Sequence, residues 1–211
     1  MRGIFITLEG GDGAGKTTQA SLLEEWFQSQ GRDVVRTREP GGTPLGVEIR
    51  EMVLHSRGHI DERAEALLYA ADRAQHIETL VRPALADGKV VIQDRYFDSS
   101  VAYQGVARDL GADRVRGLSL WATRDLLPDL TILLDLSVED GRARLEALGK
   151  RFDRLEAEAA AFHERVRQAF LDLAAAEPER FLVLDATQSP QALAAAIRER
   201  LESSGILTTE A

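Results

Sequence analysis

The 211-residue sequence has no cysteine, which excludes a disulfide framework, a cysteine-based zinc site and a thiol nucleophile. It has no asparagine, so the N-K-x-D element with which a GTPase reads guanine is missing. No apolar run is long enough to span a membrane. The opening stretch Gly3-Ile4-Phe5-Ile6-Thr7-Leu8 is too short for a signal-peptide core. The four histidines, His55, His59, His76 and His163, lack paired ligand spacing, and surface or helix-face roles are expected of them. An excess of positive charge is also lacking. The formal net charge is −9, which argues against a nonspecific nucleic-acid binder. Phosphate recognition must then come from locally placed arginines. A cytoplasmic chain that engages neither nucleic acid nor membrane is the simple expectation.

Apolar residues make up 44% of the chain, enough for a real core. They fall into five short runs, around Ile4–Leu8, Val34–Thr37, Val90–Ile92, Thr131–Leu134 and Phe181–Leu184, that read as strands. Helical periodicity fills the intervals, and Ser189-Pro190 reads as a cap with proline at the first helical position. Asp61 to Leu85 reads as one long helix or two, and the apolar face from Leu155 to Leu173 as another. The pattern predicts one α/β domain over residues 1–211, a five-stranded parallel sheet flanked by helices. The residues after Gly205 read as a frayed tail.

Gly10-Gly11-Asp12-Gly13-Ala14-Gly15-Lys16-Thr17 fits the phosphate-loop pattern G-x-x-x-x-G-K-[ST] between a strand and a helix. Glycines let several backbone N–H groups face one phosphate chain, and the following helix adds the positive end of its dipole. Lys16 is expected to reach the β- and γ-phosphates, and the Thr17 hydroxyl to hold Mg²⁺. A three-layer P-loop NTPase fold follows, with the ligand at the carboxyl ends of the strands.

Four further segments fall at such ends or on neighbouring helices. Arg38-Glu39-Pro40-Gly41-Gly42-Thr43 puts an arginine beside a glycine pair, suited to a second phosphate or to a solvated turn. Tyr69 and Arg73 lie four apart, a stacking ring with a guanidinium, or a core aromatic with a surface arginine. Asp94-Arg95 ends the third strand, where a carboxylate holds Mg²⁺ through water. Ser99, Tyr103 and Gln104 follow, suited to a sugar phosphate, with a helix entry capped by Asp98 as the alternative. Arg142, Arg144, Lys150, Arg151 and Arg154 form a basic stretch, read as a solvated surface or as a lid over about residues 141–154, with Gly141 and Gly149 as hinges.

In these segments, and in Ala70-Ala71-Asp72-Arg73-Ala74-Gln75, the chain resembles the bacterial thymidylate kinases, from about Gly3 to about Leu201. The resemblance implies Mg²⁺- and ATP-dependent transfer to dTMP, giving dTDP and ADP, in a homodimer. It implies that Gly10, Gly11, Gly13, Ala14, Gly15, Lys16, Thr17 and Thr18 cradle ATP, while Asp12 meets the acceptor sugar. Arg38 and Arg95 would hold the dTMP phosphate, with Glu39 and Pro40 beside them. Tyr69 would stack on thymine, and Arg73 would meet its carbonyl. Ser99 and Gln104 would complete the acceptor site, and Tyr103 would crowd a ribose 2′-hydroxyl. Lys16, Asp12, Arg95, Arg144 and Arg151 are the expected catalytic set, with Thr17 and Asp94 on the metal. Some members carry an arginine directly after the loop aspartate; here that place is Gly13, which shifts the search to Arg144 and Arg151. Another deoxynucleotide or deoxynucleoside kinase, and a nucleotide-switch binding module, stand as alternatives.

Overall fold

The computed structural model describes residues 2–56, 58–149 and 153–208. Its strands are β1 (Ile4–Glu9), β2 (Val34–Arg38), β3 (Val90–Asp94), β4 (Leu130–Asp135) and β5 (Phe181–Asp185). They form one parallel sheet in the order β2-β3-β1-β4-β5. β1 is central and buried along its whole length, as its unbroken apolar run predicts. The edge strands are less covered: β2 mixes partly buried and exposed positions, and β5 is buried only at Phe181. Since β1 is flanked by β3 on one side and β4 on the other, the connections diverge there. That crevice is where a parallel sheet opens to a ligand.

The helices are α1 (Lys16–Ser29), α2 (Pro44–His55), α3 (Glu62–His76), α4 (Arg82–Ala86), α5 (Phe97–Ser100), α6 (Ala112–Thr123), α7 (Val138–Ala147), α8 (Ala160–Ala176) and α9 (Pro190–Ser203). Ile4, Ile6 and Leu8 face Ala20, Leu23 and Phe27 of α1 and Leu193 and Ile197 of α9. Phe5 and Val91 point the other way, into a layer with Ile77, Val81 and Phe97. Alternate residues of one strand thus feed two cores, and the molecule has three layers. Within the sheet, the buried Thr7 and Thr131 hydroxyls pair at 2.9 Å, and Thr131 Oγ1 also accepts from Arg180 at 2.8 Å.

Several elements differ from expectation. α2 opens at Pro44, directly after the Arg38–Thr43 segment, because Thr43 caps it through Gly46 N–H. The 61–85 segment is one rod in which a wider turn, Ile77–Val81, joins α3 to α4. A second wide turn, Val101–Ala107, extends α5 and carries Tyr103 and Gln104. α8 starts at Ala160, so Leu155 packs from the preceding turn. Residues 206–208 do not fray. Ile206 and Leu207 sit against the main core in a short 3₁₀ turn.

Candidate active site

The loop after β1 crosses the sheet edge with Gly10, Gly13 and Gly15 all at positive φ, conformations that L side chains resist. Gly13 has a second constraint. A β-carbon there would stand 2.5 Å from the carbonyl oxygen of Gly141 in α7. α1 begins at Lys16, so its unpaired N–H groups open into the cleft beside the exposed Thr17 and Thr18. Lys16 Nζ donates to the carbonyls of Gly10 (3.0 Å) and Gly11 (2.8 Å). Burial, with Arg95 nearby, pushes its pKa down, while Asp94, Asp12 and Glu9 oppose that shift.

Arg95 is the next fixed point. Its backbone is left-handed at φ 66°, and its N–H donates to Leu8 O, which ties it to β1. The guanidinium donates to Asp12 Oδ1 at 2.6 Å and to Ser99 Oγ at 3.1 Å, and lies 5.3 Å from the centre of the Tyr103 ring. Burial raises the Asp12 carboxyl, but Arg95 and Lys16 outweigh it and hold it below the ordinary value. Beneath them lies Glu9, fully buried at the end of β1. It accepts from Tyr96 N–H (2.7 Å), Ser99 N–H (3.3 Å) and Ser99 Oγ (2.6 Å). Burial, then Asp98, pushes its carboxyl up to about 7. Asp98 does not cap the helix; it is buried against Arg180 at 2.7 and 2.9 Å.

From this point one cleft of about 820 Å³ runs across the sheet edge. Its walls include Asp12 through Thr18 of the loop, then Arg38, Glu39, Pro40, Tyr69, Arg73, Asp94, Arg95, Ser99, Tyr103, Gln104 and Arg144. Nearly every residue expected from sequence therefore shares one cavity. Gly10 and Gly11 do not line it; they border a cavity of about 60 Å³ behind the loop, and their carbonyls serve Lys16. Arg151, with Lys150, lies outside the described residues.

Arg73 is not a surface arginine. It is 2% exposed and donates to Glu39 Oε2 (2.8 Å), Ser119 Oγ (3.1 Å), Ser100 Oγ (3.0 Å) and Tyr96 O (3.4 Å). A guanidinium carries five N–H groups, so one on Nη1 is left over. The carboxylate of Glu39 is wholly engaged, by Arg73 and by His76 Nδ1 at 2.9 Å. It holds Arg73 in place and also lines the cleft. His76 is likewise no helix-face residue: it is fully buried, with Nε2 2.7 Å from Thr37 Oγ1. Arg38, level with Asp94 in the sheet register, is exposed toward the cleft. Tyr69 and Tyr103 are buried in the cleft wall, the latter beside Arg95. Sequence reasoning missed Arg50, which also lines the cleft and donates to Pro40 O at 3.1 Å. It also missed Glu9, a charged residue closing an apolar run, and that position was the available signal.

The basic stretch divides. Residues 138–147 form α7, so its first half is helix rather than flexible lid. Gly141 is no hinge, since a β-carbon there would stand 2.6 Å from Asp12 O. Arg144 reaches back from α7 and donates to Gly13 O (3.3 Å) and Ala186 O (2.9 Å). Arg142 pairs with Glu146 on the exposed side. Arg154 is anchored to Val53 O at 2.8 Å and to Glu65, away from the loop. Asp94 offers a buried Oδ1 with no hydrogen-bond partner among the described residues, close enough to Lys16 to act on its charge.

A phosphate loop continuous with a second, arginine-lined and aromatic compartment defines a P-loop kinase that takes two nucleotides. Comparison with known proteins narrows the class. The family model described as thymidylate kinase matches residues 8–197, and the chain belongs to the thymidylate kinase family. The thymidylate kinase of Clavibacter michiganensis subsp. michiganensis is 66% identical over 203 residues, covering 96% of each chain. That of Cutibacterium acnes is 53% identical over 202 residues, covering 95% of this chain and 97% of its own. The crystal structure of thymidylate kinase from Ehrlichia chaffeensis superposes with a TM-score of 0.78 at 31% identity, covering 95% of this chain and 99% of that one.

Proposed function

We propose that this kinase transfers the γ-phosphoryl group of ATP to dTMP, giving ADP and dTDP, with ATP on the loop and dTMP at the far end of the cleft. The observation that carries this reading is the continuity of the cleft from Lys16 to Gln104, with both phosphate grips opening into one space. ATP lies against the N–H groups of residues 12–18. The dTMP phosphate is held by Arg38 and Arg95, whose charge Asp12 and Ser99 orient. Tyr69 stacks on the base, and the spare Nη1 N–H of Arg73 meets its carbonyl.

No covalent intermediate is required. Two bound nucleotides hold a dTMP phosphate oxygen in line with the γ-phosphorus, and positive charge offsets what develops on the transferred group. Lys16 and Arg144 supply that charge from the protein, and Arg151, outside the described residues, is a further candidate. The orphaned Asp94 Oδ1 and the exposed Thr17 hydroxyl suit Mg²⁺, which takes few protein ligands and keeps several waters. Asp94 and Thr17 would hold the ion, which would supply positive charge to offset that of the triphosphate. Among the described residues there is no cluster of three acidic or histidine ligands, so a site completed by the nucleotide itself is the fitting kind.

We assign a second copy of the chain to the neighbouring helices α2, α3 and α6. They expose Val47, Met52, Leu67 and Trp121, the last 79% accessible. Sedimentation at micromolar concentration tests the dimer. The cytoplasm is the compartment that this reading implies; no helix among the described residues is long and apolar enough to cross a membrane. The functional test is a coupled assay with Mg-ATP and a panel of nucleoside monophosphates. Fastest turnover is expected with dTMP, and absence of transfer to dTMP would overturn the assignment.

A further inference from the structure

Glu65, Tyr69 and Arg73 follow one another at intervals of four on α3 and form a single ladder along the cleft. Tyr69 and Arg73 have roles above; Glu65 has none, yet it is 1% exposed and joins three parts of the molecule. Its Oε1 accepts from Gln104 Nε2 at 2.8 Å, and its Oε2 is paired with Arg154. Arg108 Nε stands 3.6 Å from Oε1 and itself pairs with Glu158 at 2.6 Å.

An ionised carboxylate only accepts hydrogen bonds, so the side of Gln104 that faces it must be the NH₂ group. The amide carbonyl then points away from Glu65. It accepts no hydrogen bond from the described residues, and Gln104 lines the cleft. We propose that Glu65 is a specificity-determining positioning residue, which locks the Gln104 amide so that the acceptor compartment presents a carbonyl oxygen to the base.

The inference rests on the reading of that compartment as a pyrimidine nucleotide site. Thymine offers an N3–H donor beside the O4 acceptor. The fixed carbonyl of Gln104 takes the first, and the remaining Arg73 N–H takes the second. Cytosine has a bare N3 acceptor and an amino donor at these places, so both contacts invert. Arg154 contributes by pairing with Oε2 and so fixing the Glu65 carboxylate against Gln104. Arg154, the last cation of the basic stretch, thereby bears on base choice.

Glu65→Gln tests this. A glutamine at 65 keeps its carbonyl on Arg154 and turns its NH₂ toward Gln104, so the Gln104 amide turns over and presents NH₂ to the base. For dTMP, kcat/KM should fall on the order of ten-fold, whereas for dCMP it should rise. The dTMP-to-dCMP ratio should therefore fall on the order of ten- to a hundred-fold, with KM for ATP unchanged. The swapped pair, Glu65→Gln with Gln104→Glu, restores an acceptor facing the base and should restore the preference. Equal losses for dTMP and dCMP in Glu65→Gln, with no rescue in the swap, would mean a merely structural role and overturn the proposal. If these variants do not fold, the unaltered protein decides. Comparable kcat/KM for dCMP and dTMP overturns the lock while the kinase reading stands, and discrimination of at least about a hundred-fold supports it. No transfer to dTMP overturns both.

Discussion

Glu9 gives the sharpest test of how the site is held together. Its carboxyl is pushed to about 7 from an ordinary 4.5, first by burial and then by Asp98, against the opposing pull of Ser99 and Arg95. The folded state therefore binds a proton more tightly than the unfolded chain. Between pH 4.5 and 7 it holds more protons, so this contribution to stability is full below pH 4.5 and is lost as pH rises through about 7. At about 1.4 kcal/mol per unit, the loss reaches about 3 kcal/mol. Glu9→Gln removes the charge and keeps the geometry. The new carbonyl still accepts from Tyr96 and Ser99 N–H, and the new NH₂ donates to Ser99 Oγ, reversing one bond without breaking it. Urea unfolding at pH 5 should find the two proteins similar. At pH 8 the variant should be more stable by about 3 kcal/mol, or about 6–12 °C in Tm for a chain of this size. Asp72, pushed up to about 6 by burial and then by Glu39, adds a slope of the same sign. Both proteins retain it, so their difference isolates Glu9. The reasoning is refuted if Glu9→Gln loses stability between pH 5 and 8 as steeply as the unaltered protein.

Lys16→Ala should lower kcat by about 10³ or more while Tm moves by only a few degrees, since its bonds are to loop carbonyls; substantial turnover would contradict its role. Tyr103→Ala should narrow the kcat/KM gap between dUMP and UMP, because the buried ring is the bulk expected at the 2′ position. An unchanged gap would remove that role. Asp94→Asn should raise the Mg²⁺ concentration needed for half-maximal rate, read from a magnesium titration at fixed ATP, and an unmoved titration would place the metal elsewhere. Gly13→Ala should weaken ATP binding and cost about 1–3 kcal/mol of stability, through the left-handed φ of 79° and the Gly141 carbonyl. Calorimetry checks the first effect and urea unfolding the second.

The strands were legible because each is a short apolar run, and the loop because its pattern is local. α7 was not. Only Gly141 and Leu145 are buried along it, so it has no apolar stripe, and its charged face reads as a loop. The usable signal was Ser137, whose hydroxyl caps the helix at Asp140 N–H, 3.1 Å away. Buried charges escaped for another reason. Arg73 needs Glu39, Ser119 and Ser100, which are 34, 46 and 27 residues away, and Arg180 needs Asp98, 82 residues away. Without those partners an arginine is read as solvated, because burying it alone is prohibitively costly. Side chains that touch ligand can be named from motif and spacing. Those that hold them in place depend on long-range pairing that one sequence does not display.

Gly13 and Gly141 bring the two levels together. The loop and α7 approach so closely that neither position has room for a β-carbon, since each would meet the other segment's carbonyl region within 2.6 Å. An arginine at position 13 therefore has no place in this packing. The same approach sets α7 where Arg144, one turn beyond Gly141, donates to the carbonyl of Gly13 itself. The helix that forbids a loop arginine thus delivers one from outside, and the small residue in the loop and the cation on the helix are two sides of one arrangement. Because Gly13 sits between Asp12, which Arg95 orients, and the N–H groups at the start of α1, any shift of α7 bears on both nucleotide compartments at once.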